Sequence, residues 1–194
     1  FFIALSEVLK LSPSDIQLEY SIHKSAFKER KHKNSKRKEK PQIDLIIDTP
    51  EHKLNVEFGL FRQNSNENGT INKTARTVKM LNDMIRLALD SYYTNREAYF
   101  ICVADDKMIG HQLQSKLLGK FPSDYRFNND LVKNQMEKRT NAFDKRFLSV
   151  FDELDLEINC KIIYNKKIEA KLVNRETRII AWNVKSVKRM KGSH

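Results

Sequence analysis

Pro41-Gln42-Ile43-Asp44-Leu45-Ile46-Ile47-Asp48, the turn Thr49-Pro50-Glu51-His52 and, after Lys53, Leu54-Asn55-Val56-Glu57-Phe58-Gly59-Leu60-Phe61-Arg62-Gln63 form the stretch on which the fold turns. Both halves read as strands. Ile43, Leu45 and Ile47 alternate with Asp44, Ile46 and Asp48. Leu54, Val56, Phe58 and Leu60 alternate with Asn55, Glu57 and Gly59. The connection is short enough for a hairpin. A carboxylate inside an apolar strand is costly to bury, and here Asp44 and Glu57 fall on neighbouring strands. A shared divalent cation, which prefers hard oxygen ligands, would stabilise the pair. The alternative is an edge hairpin whose polar residues face water.

Pro41-x-x-Asp44 followed by Val56-Glu57-Phe58-Gly59 resembles the core hairpin of the PD-(D/E)xK, restriction-endonuclease-like nucleases. The resemblance implies that Asp44 and Glu57 bind Mg²⁺ or Mn²⁺, joined by the carbonyl of Phe58. It also implies a Lys two residues after the Glu, but Gly59 stands there. The cap-snatching endonuclease of orthomyxoviruses is similar in having Glu-x-Gly in the strand and its Lys on the following helix. Glycine leaves an open space beside Glu57, into which Lys73 or, two turns on, Lys79 is expected to reach. Lys73 is the favoured candidate for positioning the attacking water.

The composition fits a globular chain, with 40% apolar and 31% charged residues. With 194 residues it is long enough for a substantial core. It has no run of eighteen apolar residues, so no membrane span is expected. The net charge of +11 points to a polyanion, most often nucleic acid. Between Lys24 and Lys40 there are nine Lys or Arg against two Glu. This run ends directly at the Asp44 strand, and Lys33, Lys36, Arg37, Lys38 and Lys40 are its candidate contacts to a phosphate backbone. The usual alternative is a solvated loop. Lys185, Lys188, Arg189 and Lys191 form a second basic cluster. Cys102 and Cys160 lie in apolar segments without metal-ligand spacing. Free thiols fit an intracellular compartment, cytoplasmic or nuclear.

Phe1 to Leu11 has a helical pattern carrying Glu7, and Ile16 to Ile22 a half-buried strand pattern carrying Glu19. Either acid is a candidate further ligand, though surface positions suit them better. A helix is expected from about Thr70 or Asn72 to Tyr92, with the stripe Val78, Leu81, Ile85, Leu89 and Tyr92 in the core and Lys79, Asp83, Arg86 and Asp90 mostly on other faces. Ala98 to Val103 reads as a central strand. A short helix is expected over Gln112 to Leu118, a long one over Leu131 to Leu154, then strands over Leu156 to Tyr164 and Arg178 to Val184. Phe1-Phe2 without a Met suggests a fragment or a missing start, with no signal peptide. Gly192-Ser193-His194 suggests a tag remnant.

The expected fold is α/β, a mixed central β-sheet flanked by helices in one domain over 1–191. Its restriction-endonuclease-like core covers about 1–104, and a helical and strand extension covers about 105–191. The expected function is metal-dependent hydrolysis of DNA or RNA, with Asp44, Glu57 and Lys73 catalytic. The alternatives are a catalytically degenerate nuclease fold that only binds nucleic acid, or an assembly domain whose basic loop binds an acidic protein. A dimer is compatible with the sequence, which does not fix the oligomeric state.

Overall fold

The computed structural model describes residues 2–28, 41–61, 73–105, 124–169 and 176–189. In chain order the elements are α1 (Phe2–Leu9), β1 (Ile16–Ser21), β2 (Gln42–Asp48), β3 (Lys53–Phe61), α2 (Lys73–Thr94), β4 (Glu97–Asp105), β5 (Tyr125–Phe127), α3 (Lys145–Leu154), β6 (Leu156–Ile168) and β7 (Thr177–Lys188). The strands form one seven-stranded sheet in the order β1-β2-β3-β4-β7-β6-β5. Among the described strands only β3 and β4 pair in parallel, joined by the α2 crossover that a parallel pair requires. The fold is therefore mixed α/β, and its first six elements follow the expected order.

The hairpin forms in the register that the alternation demands, with Leu45 opposite Val56 and Ile47 opposite Leu54. Both faces of β2 are covered. Ile46 joins the main core beneath α2 and α3, while Leu45, Ile47 and Val56 form a smaller cluster with Leu5 and Leu9 of α1. In β4, Ala98, Phe100, Cys102 and Ala104 are deeply buried on the α2 side, and Tyr99 and Ile101 are half-buried on the other. This is the central strand that its sequence predicts. Trp182 of β7, fully buried, packs on Phe100 and Tyr125 at ring separations of 6.0 and 5.9 Å. Cys102 and Cys160 are both free and buried.

Three expectations are corrected here. β1 is not half-buried: among the described residues it lies at the sheet edge with β2 its one neighbouring strand, and Leu18 and Tyr20 stay 56% and 40% exposed. The helix expected over Leu131 to Leu154 is broken. Short helical turns over 129–139 give way to α3, because Asn141 takes the Asp144 amide on its side-chain oxygen at 2.8 Å and so competes with the helical ladder. α2 also buries its polar residues: Asp83 and Asp90 are 2% and 1% exposed, and Asp90 meets Asn55 of the sheet. The segment 112–118 lies outside the described residues. Among the described residues, no helix is long and apolar enough to cross a membrane.

Candidate metal centre at the β2–β3 hairpin

Carried one step further, the β2–β3 register sets Asp44 opposite Glu57. The Phe58 amide donates to Asp44 Oδ2 at 2.7 Å. In an antiparallel ladder a residue's N–H and C=O lie on the same edge, so the Phe58 carbonyl also turns toward the β2 side. Asp44 is half-buried, while Glu57 is only 3% exposed.

The Glu57 carboxyl is pushed up to about 9, chiefly because burial penalises its charged form. Arg86 pulls the other way, while Asp83 and a hydrogen-bonded Asp44 push it further up. Burial wins because Arg86 is shared. Its Nη2 lies 3.6 Å from Glu57 Oε1 but pairs more closely with Asp83 Oδ1. Asp83 is itself raised by burial, against the pull of Arg86 and of Lys79, whose Nζ is 2.7 Å from Asp83 Oδ2. The guanidinium sits 5.9 Å from the Phe147 ring centroid. An open cleft of about 410 Å³ between α2 and the segment carrying Arg139, Asn141 and Asp144 runs along this cluster.

Two buried polar atoms are left without a hydrogen-bond partner here, the acceptor Glu57 Oε1 and the donor Arg86 Nε. A lone buried carboxylate oxygen beside a second carboxylate suits a hard cation, which readily takes one or two carboxylates and fills its other positions with water or phosphate. Among the described residues no cluster of three or more His, Cys, Asp or Glu placed to hold a metal ion forms, at this hairpin or elsewhere. Glu7 and Glu19 are exposed on α1 and on the edge strand β1.

Gly59 does not open a space beside Glu57. A Cβ built there would meet Phe100 Cζ at 2.8 Å and Phe61 Cε2 at 2.9 Å, so two rings already fill the position of the expected motif side chain. The Lys73 side chain lies outside the described residues, but its backbone opens α2. Thirteen residues before Arg86, it starts about 20 Å along the helix axis from the residue that meets Glu57. Lys79 is nearer and is engaged with Asp83. Lys33, Lys36, Arg37, Lys38 and Lys40 lie outside the described residues.

The sequence reading missed Asp83 and Arg86. Their signal was available: Lys79, Asp83, Arg86 and Asp90 recur at steps of four, three and four, one stripe of a helix. That stripe runs antiparallel to the polar face of β3, so Asp90 meets Asn55 and Arg86 meets Glu57.

No family model, curated protein or solved structure matches this chain.

Proposed function

We propose that this chain is a divalent-metal-dependent nuclease of restriction-endonuclease-like architecture, hydrolysing phosphodiester bonds of DNA or RNA. The observation that carries this reading is the opposition of Asp44 and Glu57 across β2 and β3, with a buried Glu57 oxygen lacking any donor. Asp44, Glu57 and the Phe58 carbonyl would hold Mg²⁺ or Mn²⁺. When bound, the cation supplies a polarised water and charge compensation for the leaving oxygen. Arg86, anchored by Asp83, takes the cationic role expected of Lys73 and balances the anionic charge gathering at the site. The basic run before β2 holds the nucleic-acid backbone. A nuclease assay with Mn²⁺ tests the reading: cleavage should be metal-dependent and lost in Asp44→Ala and Glu57→Ala. Cleavage that persists in both variants would sink it.

A second reading is favoured by one arrangement. Arg86 already stands in the place of a cation beside Glu57, and aromatic rings close the Gly59 position. On this reading the chain keeps the nuclease architecture and binds nucleic acid without cutting it. Salt-sensitive binding without cleavage or calorimetric Mn²⁺ uptake would establish it in place of the first.

A further inference from the structure

Among the described residues, α1 packs on the sheet face opposite Glu57 over Leu45, Ile47 and Val56, with Tyr99 and Ile101 half-buried at the edge of that cluster. The rest carries an ordered set of side chains. The pairing Phe58–Ile101, Ile101–Ala181 and Ala181–Tyr164 makes one row across β3, β4, β7 and β6. Phe58 and Tyr164 are exposed at its two ends, at 37% and 42%. A bulge between Ile162 and Tyr164 shifts the β6 register, and this brings the tyrosine rather than Ile163 onto the row. The flanking rows set Lys161 opposite Asn183, Lys185 opposite Asn159 and Lys166 opposite Ile179. Lys161, Lys166 and Lys185 are all exposed.

The charge on this face leans positive. Glu157 is paired with Arg126 at 2.8 Å, while Glu97 accepts from the Tyr99 hydroxyl and keeps its charge, one step beyond the Ala98–Val184 pair and so opposite Lys185. Among the described residues none of the three lysines is in a close ion pair. Lys166 Nζ instead lies 5.6 Å from the Tyr164 ring centroid. Strands lie about 4.8 Å apart, so the two exposed rings stand about 14 Å from one another, with lysines to either side. Flat aromatic platforms flanked by cations suit unpaired bases, whose faces stack while the backbone finds positive charge. A second copy of the same chain would bring lysine against lysine.

We propose that this open sheet face binds single-stranded nucleic acid, with bases stacked on Phe58 and Tyr164 and phosphates held by Lys161, Lys166 and Lys185. The inference concerns the face away from Asp44 and Glu57 and does not require cleavage. The test is fluorescence anisotropy in EDTA with labelled oligo-dT, oligo-U and a duplex of equal length, across a salt series. The single strands should bind more tightly than the duplex. Tyr164→Ala should weaken single-strand binding about tenfold, while Tyr164→Phe keeps it. The triple variant Lys161→Ala, Lys166→Ala, Lys185→Ala should flatten the salt slope by about 2, at roughly 0.7 for each phosphate contact to a single strand. Circular dichroism checks that each variant is folded. No preference for single strands, or wild-type binding by Tyr164→Ala and the triple variant, overturns the proposal. So does sedimentation showing a wild-type dimer that Tyr164→Ala dissociates, which would make this face a self-association surface.

Discussion

Arg86 reaches from α2 to Glu57 of β3, its Nη2 3.6 Å from Oε1, while the same nitrogen pairs more closely with Asp83. One guanidinium thus serves two carboxyls that are 3% and 2% exposed, Asp83 as its ion-pair partner and Glu57, protonated at neutral pH, as a close neighbour. Removing one partner of a buried ion pair leaves the other charge uncompensated, at a cost of about 3–5 kcal/mol. Arg86→Met should lose that much stability in urea denaturation, and adding Asp83→Asn should recover part of it. Arg86→Lys should recover little, because a single ammonium lacks the planar fork. An Arg86→Met protein as stable as wild type would show that Asp83 is compensated in some other way.

The raised Glu57 carboxyl gives the metal-free protein a definite pH dependence. In the unfolded chain it ionises near 4.5, and in the folded one only near 9. Between these values the folded state keeps a proton that the unfolded state has released, so stability falls as pH rises. The slope approaches about 1.4 kcal/mol per pH unit and levels off above pH 9. Glu57→Gln should remove this part of the slope. Thermal melts of the wild type and Glu57→Gln at several pH values in EDTA measure it, and parallel curves for the two proteins would contradict the assignment.

The rings over Gly59 make a prediction that runs against motif restoration. A lysine there would complete the pattern of the family that this hairpin resembles. Its Cβ, however, would sit 2.8 Å from Phe100 Cζ and 2.9 Å from Phe61 Cε2. Even Gly59→Ala should cost about 1–3 kcal/mol as the rings are displaced. Gly59→Lys should be less stable still and should cleave no faster than wild type. A stable Gly59→Lys protein with raised activity would mean that the rings yield easily.

The order of elements was legible because each long segment keeps one period. Alternation in Leu54 to Leu60 and the three- and four-residue steps from Val78 to Tyr92 each admit one geometry. The Asp44–Glu57 pairing followed from hairpin register alone. What could not be read was how charged residues divide between solvent and core. Asp83, Arg86 and Asp90 look like an exposed helix stripe, since charges are seldom buried unpaired. They are buried because β3 offers Glu57 and Asn55 at matching heights, a coincidence of two elements that neither segment encodes alone. The Gly59 reading failed for a similar reason. Glycine has no side chain of its own, but the sequence does not say which neighbour fills the space, and here Phe61 and Phe100 do.

The other end of the same stripe should be purely structural. Asp90 accepts the His23 amide at 2.8 Å and the Asn55 side-chain amide at 2.9 Å, with Arg96 Nη1 at 3.7 Å. Asp90→Ala strands both donors and should cost about 3 kcal/mol or more in denaturant unfolding. Divalent-metal affinity at permissive temperature should not change. A selective loss of metal binding with unchanged stability would show that the two ends of the stripe act as one site.

Metal binding at Asp44 and Glu57 must expel the proton that Glu57 holds. With its carboxyl near 9, Glu57 is protonated at pH 7, whereas a ligand to Mn²⁺ must be ionised. Uptake of Mn²⁺ at pH 7 should therefore release close to one proton, and the observed calorimetric enthalpy should vary with the ionisation enthalpy of the buffer. As pH rises toward 9 the affinity should climb by up to about tenfold per unit and the proton release should fade. Glu57→Gln has no proton to give and should bind weakly, without buffer dependence. Asp44→Ala should also bind weakly. In wild type, metal uptake raises thermal stability as its concentration passes the dissociation constant. Tight binding at pH 7 with no proton release would place the cation away from Glu57, and with it the catalytic centre proposed for the hairpin.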